Sequence, residues 1–415
     1  MQTKQGICIL LMLALSCLPL LSQDNKLNFK FYGFIRTDAY FDSRQSVTAN
    51  EGLLFLYPKD IQEDAGGEDL NAVPNSGGYS FVSRPGVEVS GLRVLGADLS
   101  GKLEADFAGF SGNGTLLRIR LAYMNFRWGD NDILVGQQWH PFFGPVIPGQ
   151  LSITTGIPFQ PFNRSPQIQY SRRLGKFTLS GAALYQFQYM SQGPDGKTNR
   201  YHKQAILPEL VFTANYKHQG IEAGVGLDFL KIKPRSQRTM HYPTGDLTYK
   251  TDESVSSLSY QAYLKYTEGI FSASVKSGLM ENPTHLTMLG GYGISKVKGD
   301  GSQEYTPFQH STTLVNLSYG KKYLGNLYGA YTKNLGSKKA LAEDSAFYGE
   351  GMNIQELYRL CGNFSYNVPH FRLGIEYEYT VANYGRGAIN WNDGLYASSK
   401  GVDNHRLIGT VSYIF

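Results

Sequence analysis

Apolar and polar residues alternate with a period of two along most of the chain, which predicts strands and leaves no competing helical period. Near the start, Phe29, Phe31, Ile35 and Phe41 fall on one face, and Arg36, Asp38 and Asp42 on the other. Leu99, Leu103 and Phe107 interleave with Lys102, Glu104 and Asp106, and Leu117, Ile119 and Leu121 interleave with Arg118 and Arg120. The pattern returns in Phe177, Leu179, Tyr185, Phe187 and Tyr189, and in Val225, Leu227 and Phe229 opposite Glu222 and Asp228. It returns again in Phe371, Leu373, Ile375, Tyr377 and Tyr379 opposite Arg372, Glu376 and Glu378. Most such stretches run about ten to fifteen residues, which suits tilted strands crossing a bilayer. Charges at every second position are costly in a packed core and cheap in a wet lumen. One face is therefore read as lipid-facing, and the other, with Glu376 and Glu378 on it, as facing luminal water.

Tight connections fall between these stretches at Gly129-Asp130-Asn131, Leu174-Gly175-Lys176, His218-Gln219-Gly220, Glu268-Gly269, Lys321-Lys322 and Val368-Pro369. Long polar or glycine-rich segments separate them at 43–78, 141–164, 191–203, 233–253, 282–308, 336–352 and 384–403. Short periplasmic turns and long extracellular loops are the pattern of a bacterial barrel. Residues 286–297 could be read as a further strand, but parity assigns them to an extracellular loop and leaves about sixteen strands, an even number. The expected fold class is all-β: a transmembrane antiparallel barrel. The last stretch, with Leu407, Val411, Tyr413 and Phe415 outward, ends on an aromatic residue. That ending resembles an outer-membrane assembly signal and implies the barrel assembly machinery as a partner.

Composition narrows the class. Aromatic residues make up 13% of the chain, yet mean hydropathy is −0.29, too polar for a helical membrane protein. After Asn25 no stretch approaches the roughly 18 apolar residues of a spanning helix. The net charge of +5 is scattered, which gives no sign of a nucleic-acid partner. Lys4, an apolar run from Ile7 to Leu21 and a small residue, Ser22, predict a signal peptide over 1–22 and a barrel over 23–415. The weaker lipoprotein reading would use Cys17, but Ala14-Leu15-Ser16 is a poor lead-in. With Cys8 and Cys17 removed, Cys361 stands alone and no internal disulfide can form.

The common signatures of catalysis, phosphate binding and metal binding are absent, so no catalytic residue, cofactor or metal is expected. His140, His202, His241 and His285 read as solvated polar residues near strand ends or in loops. Outer-wall lipases use a Ser and His on the lipid face, and no such pair stands out. Arg118 and Arg120 share the luminal face, and Arg36 and Arg84 follow by the same alternation. Arginines in a lumen attract carboxylates and phosphates. Glu104 and Asp106, on the neighbouring strand, would also pair with Arg118 and Arg120 structurally, and that alternative stays open. Residues 141–164 are rich in proline and aromatics, which suits a stiff constriction folded into the barrel. An external lid is the alternative.

Several runs together resemble the DcaP-like trimeric porins of Gram-negative bacteria. They are Ser83-Arg84, Leu103-Glu104-Ala105-Asp106-Phe107-Ala108-Gly109, Leu117-Arg118-Ile119-Arg120-Leu121-Ala122-Tyr123, Leu134-Val135-Gly136-Gln137-Gln138-Trp139 and Asn163-Arg164-Ser165-Pro166-Gln167-Ile168-Gln169-Tyr170. The likeness spans about a quarter of the chain and implies a homotrimer of sixteen-stranded barrels in outer-membrane lipid. It also implies a third loop narrowing each pore and a preference for small anions such as dicarboxylates. Arg164, at the end of that loop, joins the pore residues on this basis. Some members carry an N-terminal coiled coil, whereas here only about six residues separate the cleavage site from the first strand. The expected function is passive diffusion of small hydrophilic solutes. Rival classes are a substrate-specific uptake barrel, a surface-binding or adhesin barrel using 43–78, and, less favoured, an outer-membrane enzyme.

Overall fold

A computed structural model describes residues 26–49, 54–111 and 114–415. The expected signal peptide, 1–22, lies outside the described residues. The wall consists of sixteen strands. The first half runs β1 (Asn28–Asp42), β2 (Arg84–Val94), β3 (Ala97–Ser111), β4 (Gly114–Trp128), β5 (Asn131–Trp139), β6 (Arg164–Leu174), β7 (Phe177–Leu184) and β8 (Glu209–His218). The second half runs β9 (Ile221–Ile232), β10 (Val255–Glu268), β11 (Phe271–Glu281), β12 (Gln303–Gly320), β13 (Tyr323–Ser337), β14 (Ile354–Val368), β15 (Phe371–Asn390) and β16 (Leu395–Ile414). Each strand pairs antiparallel with its sequence neighbour, and β16 returns to β1 with Phe34 opposite Ile414 and Asp42 opposite Arg406. Closure leaves no strand edge, the condition a sheet must meet inside hydrocarbon.

Side chains obey the two-residue period. On β15, Leu373, Ile375 and Tyr377 are exposed on the exterior, while Glu376, Glu378 and Thr380 point inward and are buried. On β16, Leu407, Val411 and Tyr413 face out, and Arg406, Ile408 and Thr410 face in. The tight turns lie at one end; Gly129, Gly175 and Gly269 take left-handed backbone angles there that other residues adopt only with strain.

The opposite end carries the long loops, and here the structure corrects several readings. Residues 384–403 are not a loop: β15 and β16 extend as a hairpin closed by residues 391–394. The segment after β1 does not simply face outside. Its strand Leu54–Pro58 pairs with Ser46–Ala49, and Leu54 to Tyr57 are buried among inward-facing wall residues. Tyr189 is not on the lipid face, because β7 stops at Leu184 and the chain turns inward. A short helix, α1 (Arg200–Ala205), sits in that fourth loop, where no helix was expected. Residues 286–297 do stay out of the wall. Their strand, Gly290–Val297, pairs with the start of β12 and with Phe347–Glu350 in the seventh loop. Finally, His140, His202 and His285 are buried, not solvated.

Candidate functional site

The residues between β5 and β6 cross the lumen, because inward-facing side chains of the far wall bind their backbone. Lys276 on β11 donates to the carbonyl of Phe143 at 2.7 Å and to the Gln160 side chain at 2.9 Å. Asn316 on β12 accepts the Gly149 N–H at 2.9 Å, and Thr312 donates to the Phe159 carbonyl at 2.6 Å. Asn363 on β14 donates to the Gly149 carbonyl, and Arg359 on the same strand donates to the Ile157 carbonyl, both at 2.9 Å. On β15, Glu376 accepts the N–H groups of Leu151 and Ser152 at 2.5 and 2.8 Å, and Glu378 accepts Gln150 at 3.1 Å. Glu376 and Glu378 therefore do not stand in open water as the alternation suggested; the third loop covers them. Arg359 also donates to the Leu56 carbonyl at 2.8 Å, so one guanidinium holds the first and third loops together.

Across the lumen from this loop stands a cluster of charged residues built on β1 to β4 and β6. Arg36 lies against Asp38 at 2.8 Å and donates to the Leu151 carbonyl at 2.5 Å. Arg118 forms a two-pronged pair with Asp106 at 2.8 and 3.0 Å. Arg120 bridges Glu104 at 2.8 Å and Asp106 at 2.7 Å. Arg84 lies 3.5 Å from Glu104 and rests over the Phe34 ring. Tyr32 donates to Glu104 at 3.1 Å. The pairing of Arg118 and Arg120 with the acids of the adjacent strand is thus realised.

A β-bulge makes the Arg120 bridge possible. In the β3–β4 ladder Glu104 opposes Leu121, while the next residue, Ala105, opposes Ile119. Arg120 is the additional residue, and the bulge turns its side chain and that of Leu121 to the same side of the wall. Leu121 is accordingly buried, a correction to its expected place on the lipid face.

Arg164 begins β6 and is fully buried. Its Nη2 donates to Tyr189 at 2.6 Å, and its guanidinium lies 5.0 Å from the Trp139 ring centre and 5.5 Å from that of Tyr189. Its Nε and Nη1, and the Nε of Arg84, have no hydrogen-bond partner among the described residues. Between this wall and the loop is a cavity of about 300 Å³. Arg36, Arg84, Asp106, Arg118 and Arg120 line one side, and Gln150 to Ile153 the other, with Trp139 and Tyr189 between. All seven residues singled out from the sequence therefore meet at one place, with Glu104 and Arg164 just behind the cavity surface. Tyr32, Trp139 and Tyr189 were missed. Tyr32 shares the parity of Arg36 and could have been found; the others depend on where the chain leaves the wall.

No known protein family profile matches the chain, and no curated protein does. Solved structures do match. The outer-membrane channel DcaP of Acinetobacter baumannii superposes with a TM-score of 0.64 at 16% identity, over 95% of this chain and 99% of that one. The fold is that of an outer-membrane β-barrel. In-vitro folded OmpT, an outer-membrane protein of Vibrio cholerae, gives 0.55 at 14% identity over 96% of this chain and 100% of that one. A trimer form of the same protein gives 0.51 at 15% identity, covering 94% and 99% respectively. The structural likeness to DcaP agrees with the likeness seen in the sequence runs, and a closed barrel with an apolar exterior is an outer-membrane architecture.

Proposed function

We propose that the chain is a passive outer-membrane pore for small hydrophilic solutes, favouring small anions such as dicarboxylates, with residues 141–164 as its constriction. The observation that carries this reading is the charge balance on the barrel-wall side of the cavity, where, among the described residues, Arg36, Arg84, Arg118, Arg120 and Arg164 stand with Asp38, Glu104 and Asp106. The surplus is positive, and among the described residues no acid pairs with Arg164, which stands just behind the cavity surface. A carboxylate passing this point would be drawn by the net positive field of these guanidinium groups. The loop sets the size limit, because its backbone is fixed to the far wall at several points. Assembly as a homotrimer in outer-membrane lipid, after removal of 1–22, completes the reading.

The test is single-channel recording of purified protein with reversal potentials in a salt gradient. Anion-selective conductance supports the proposal, and absence of conductance sinks it. A substrate-specific uptake barrel is the second reading, favoured by the insertion of Leu54–Pro58 among the inward-facing wall residues. It predicts conductance that one solute class blocks at low concentration.

A further inference from the structure

Behind the root of the third loop lies a second polar cluster that the pore reading does not use. His140 opens the third loop, His285 sits in the turn Thr284–Leu286 of the sixth loop, Glu209 begins β8, and Asp228 faces inward from β9. All four are at most 2% exposed. The Nε2 atoms of His140 and His285 each lie 2.9 Å from the same Glu209 oxygen, Oε1. One ligating atom each from His140, Glu209 and Asp228 fall within 4.8 Å of one another. Glu209 Oε2, Asp228 Oδ1 and His285 Nδ1 have no hydrogen-bond partner among the described residues. Two carboxylates at this spacing away from water repel one another unless a proton or a cation lies between them.

We propose that His140, Glu209 and Asp228 bind one divalent transition-metal ion of the zinc type, with His285 orienting Glu209 from outside the ligand set. A nitrogen and two carboxylate oxygens suit such an ion, and bonds of about 2.0–2.2 Å need ligand atoms roughly 3.4 Å apart. Side-chain rotations that draw Asp228 in and let His140 Nε2 and Glu209, now 2.9 Å apart, separate slightly meet that requirement. Coordination has a defined consequence for the loop. At present His140 Nδ1 accepts the Phe142 N–H at 3.2 Å, so its proton sits on Nε2. A metal on Nε2 displaces that proton, Nδ1 becomes a donor, and the Phe142 contact opens. Since the neighbouring carbonyl of Phe143 is anchored to Lys276, the metal would act on the constriction from its root.

The experiment titrates zinc(II) into chelator-stripped, full-length barrel in detergent, measuring bound metal after gel filtration and conductance in bilayers. The expected result is about one ion per chain. Asp228→Asn should abolish it, and His285→Gln should weaken it about ten-fold or more, each with the heat-modifiable barrel retained. Zinc on the exposed His405–Asp403 pair is separated by His405→Gln, which should leave the buried ion in place. Unmodified barrel that retains under about a tenth of an ion per chain, or uptake that Asp228→Asn leaves unchanged, overturns the proposal.

Discussion

Glu376 accepts the backbone N–H of Leu151 at 2.5 Å, and the carbonyl of the same leucine accepts Arg36 from β1, two strands along the wall, also at 2.5 Å. Leu151 is thus fixed to the stretch of wall formed by β15, β16 and β1. Hydrogen bonds to a charged group are worth about 1.5–3 kcal/mol each. Glu376 makes three, to Leu151, Ser152 and Asn363.

Glu376→Ala should therefore release the middle of the loop while leaving the backbone ladder of the wall intact. Single-channel conductance and the flux of larger neutral sugars are expected to rise. Unchanged values for both would show that the other anchors suffice.

Lysine at Leu373 or Ile375 should destabilise the folded barrel by about 2–4 kcal/mol, because both side chains face the hydrocarbon. Lysine at the exposed Ser399, on the hairpin beyond the wall, should cost little. Denaturant unfolding in lipid vesicles measures the difference. Lysine at Glu376, which the alternation alone would place in water, is now expected to expel the loop.

Charge inversion at Arg118 and Arg120 should move the pore toward cations, and it also strips Asp106 of both its arginines and leaves Glu104 with Arg84 and Tyr32 alone. The cleaner experiment is Glu104→Gln with Asp106→Asn, which should strengthen anion preference in reversal-potential measurements. Arg164→Gln breaks no ion pair with an acid and should weaken that preference. All three effects should shrink in about 1 M salt, where screening acts within about 3 Å.

Deleting Phe415 should lower the yield of inserted, heat-modifiable barrel without affecting export. Gly33 and Phe415 exchange two backbone hydrogen bonds, of 2.9 and 3.1 Å, at the seam where β16 meets β1. Wild-type levels in the outer membrane after deletion would show that the seam closes without them.

The wall was legible because its information is local. A strand turns each successive side chain to the other face, so Leu373 and Ile375 separate from Glu376 by their order alone, and the tight turns at Gly129, Gly175 and Gly269 separate one strand from the next. The same rule brings Arg36, Arg84, Glu104, Asp106, Arg118 and Arg120 to one face from their positions in the sequence alone. It failed at Leu121, where one additional residue in β4 places its side chain on the same side as that of Arg120.

What covers an inward side chain is not local information. Glu376 and a solvated luminal glutamate look alike in the sequence, and the residue that shields Glu376 lies 225 positions away. His140 and His285 read as loop residues in water until the third and sixth loops are folded back against β8, where one carboxylate oxygen receives both. The sequence by itself determined the strands, their facing, their number and the gathering of charge on one wall, since a two-residue period needs only neighbours. The path of the first and third loops through the lumen, the bulge at Arg120 and the burial of the histidines were decided by tertiary structure alone. The loop paths and the buried histidines depend on hydrogen bonds between residues that only the closed barrel brings together, and the bulge on the register of one hairpin.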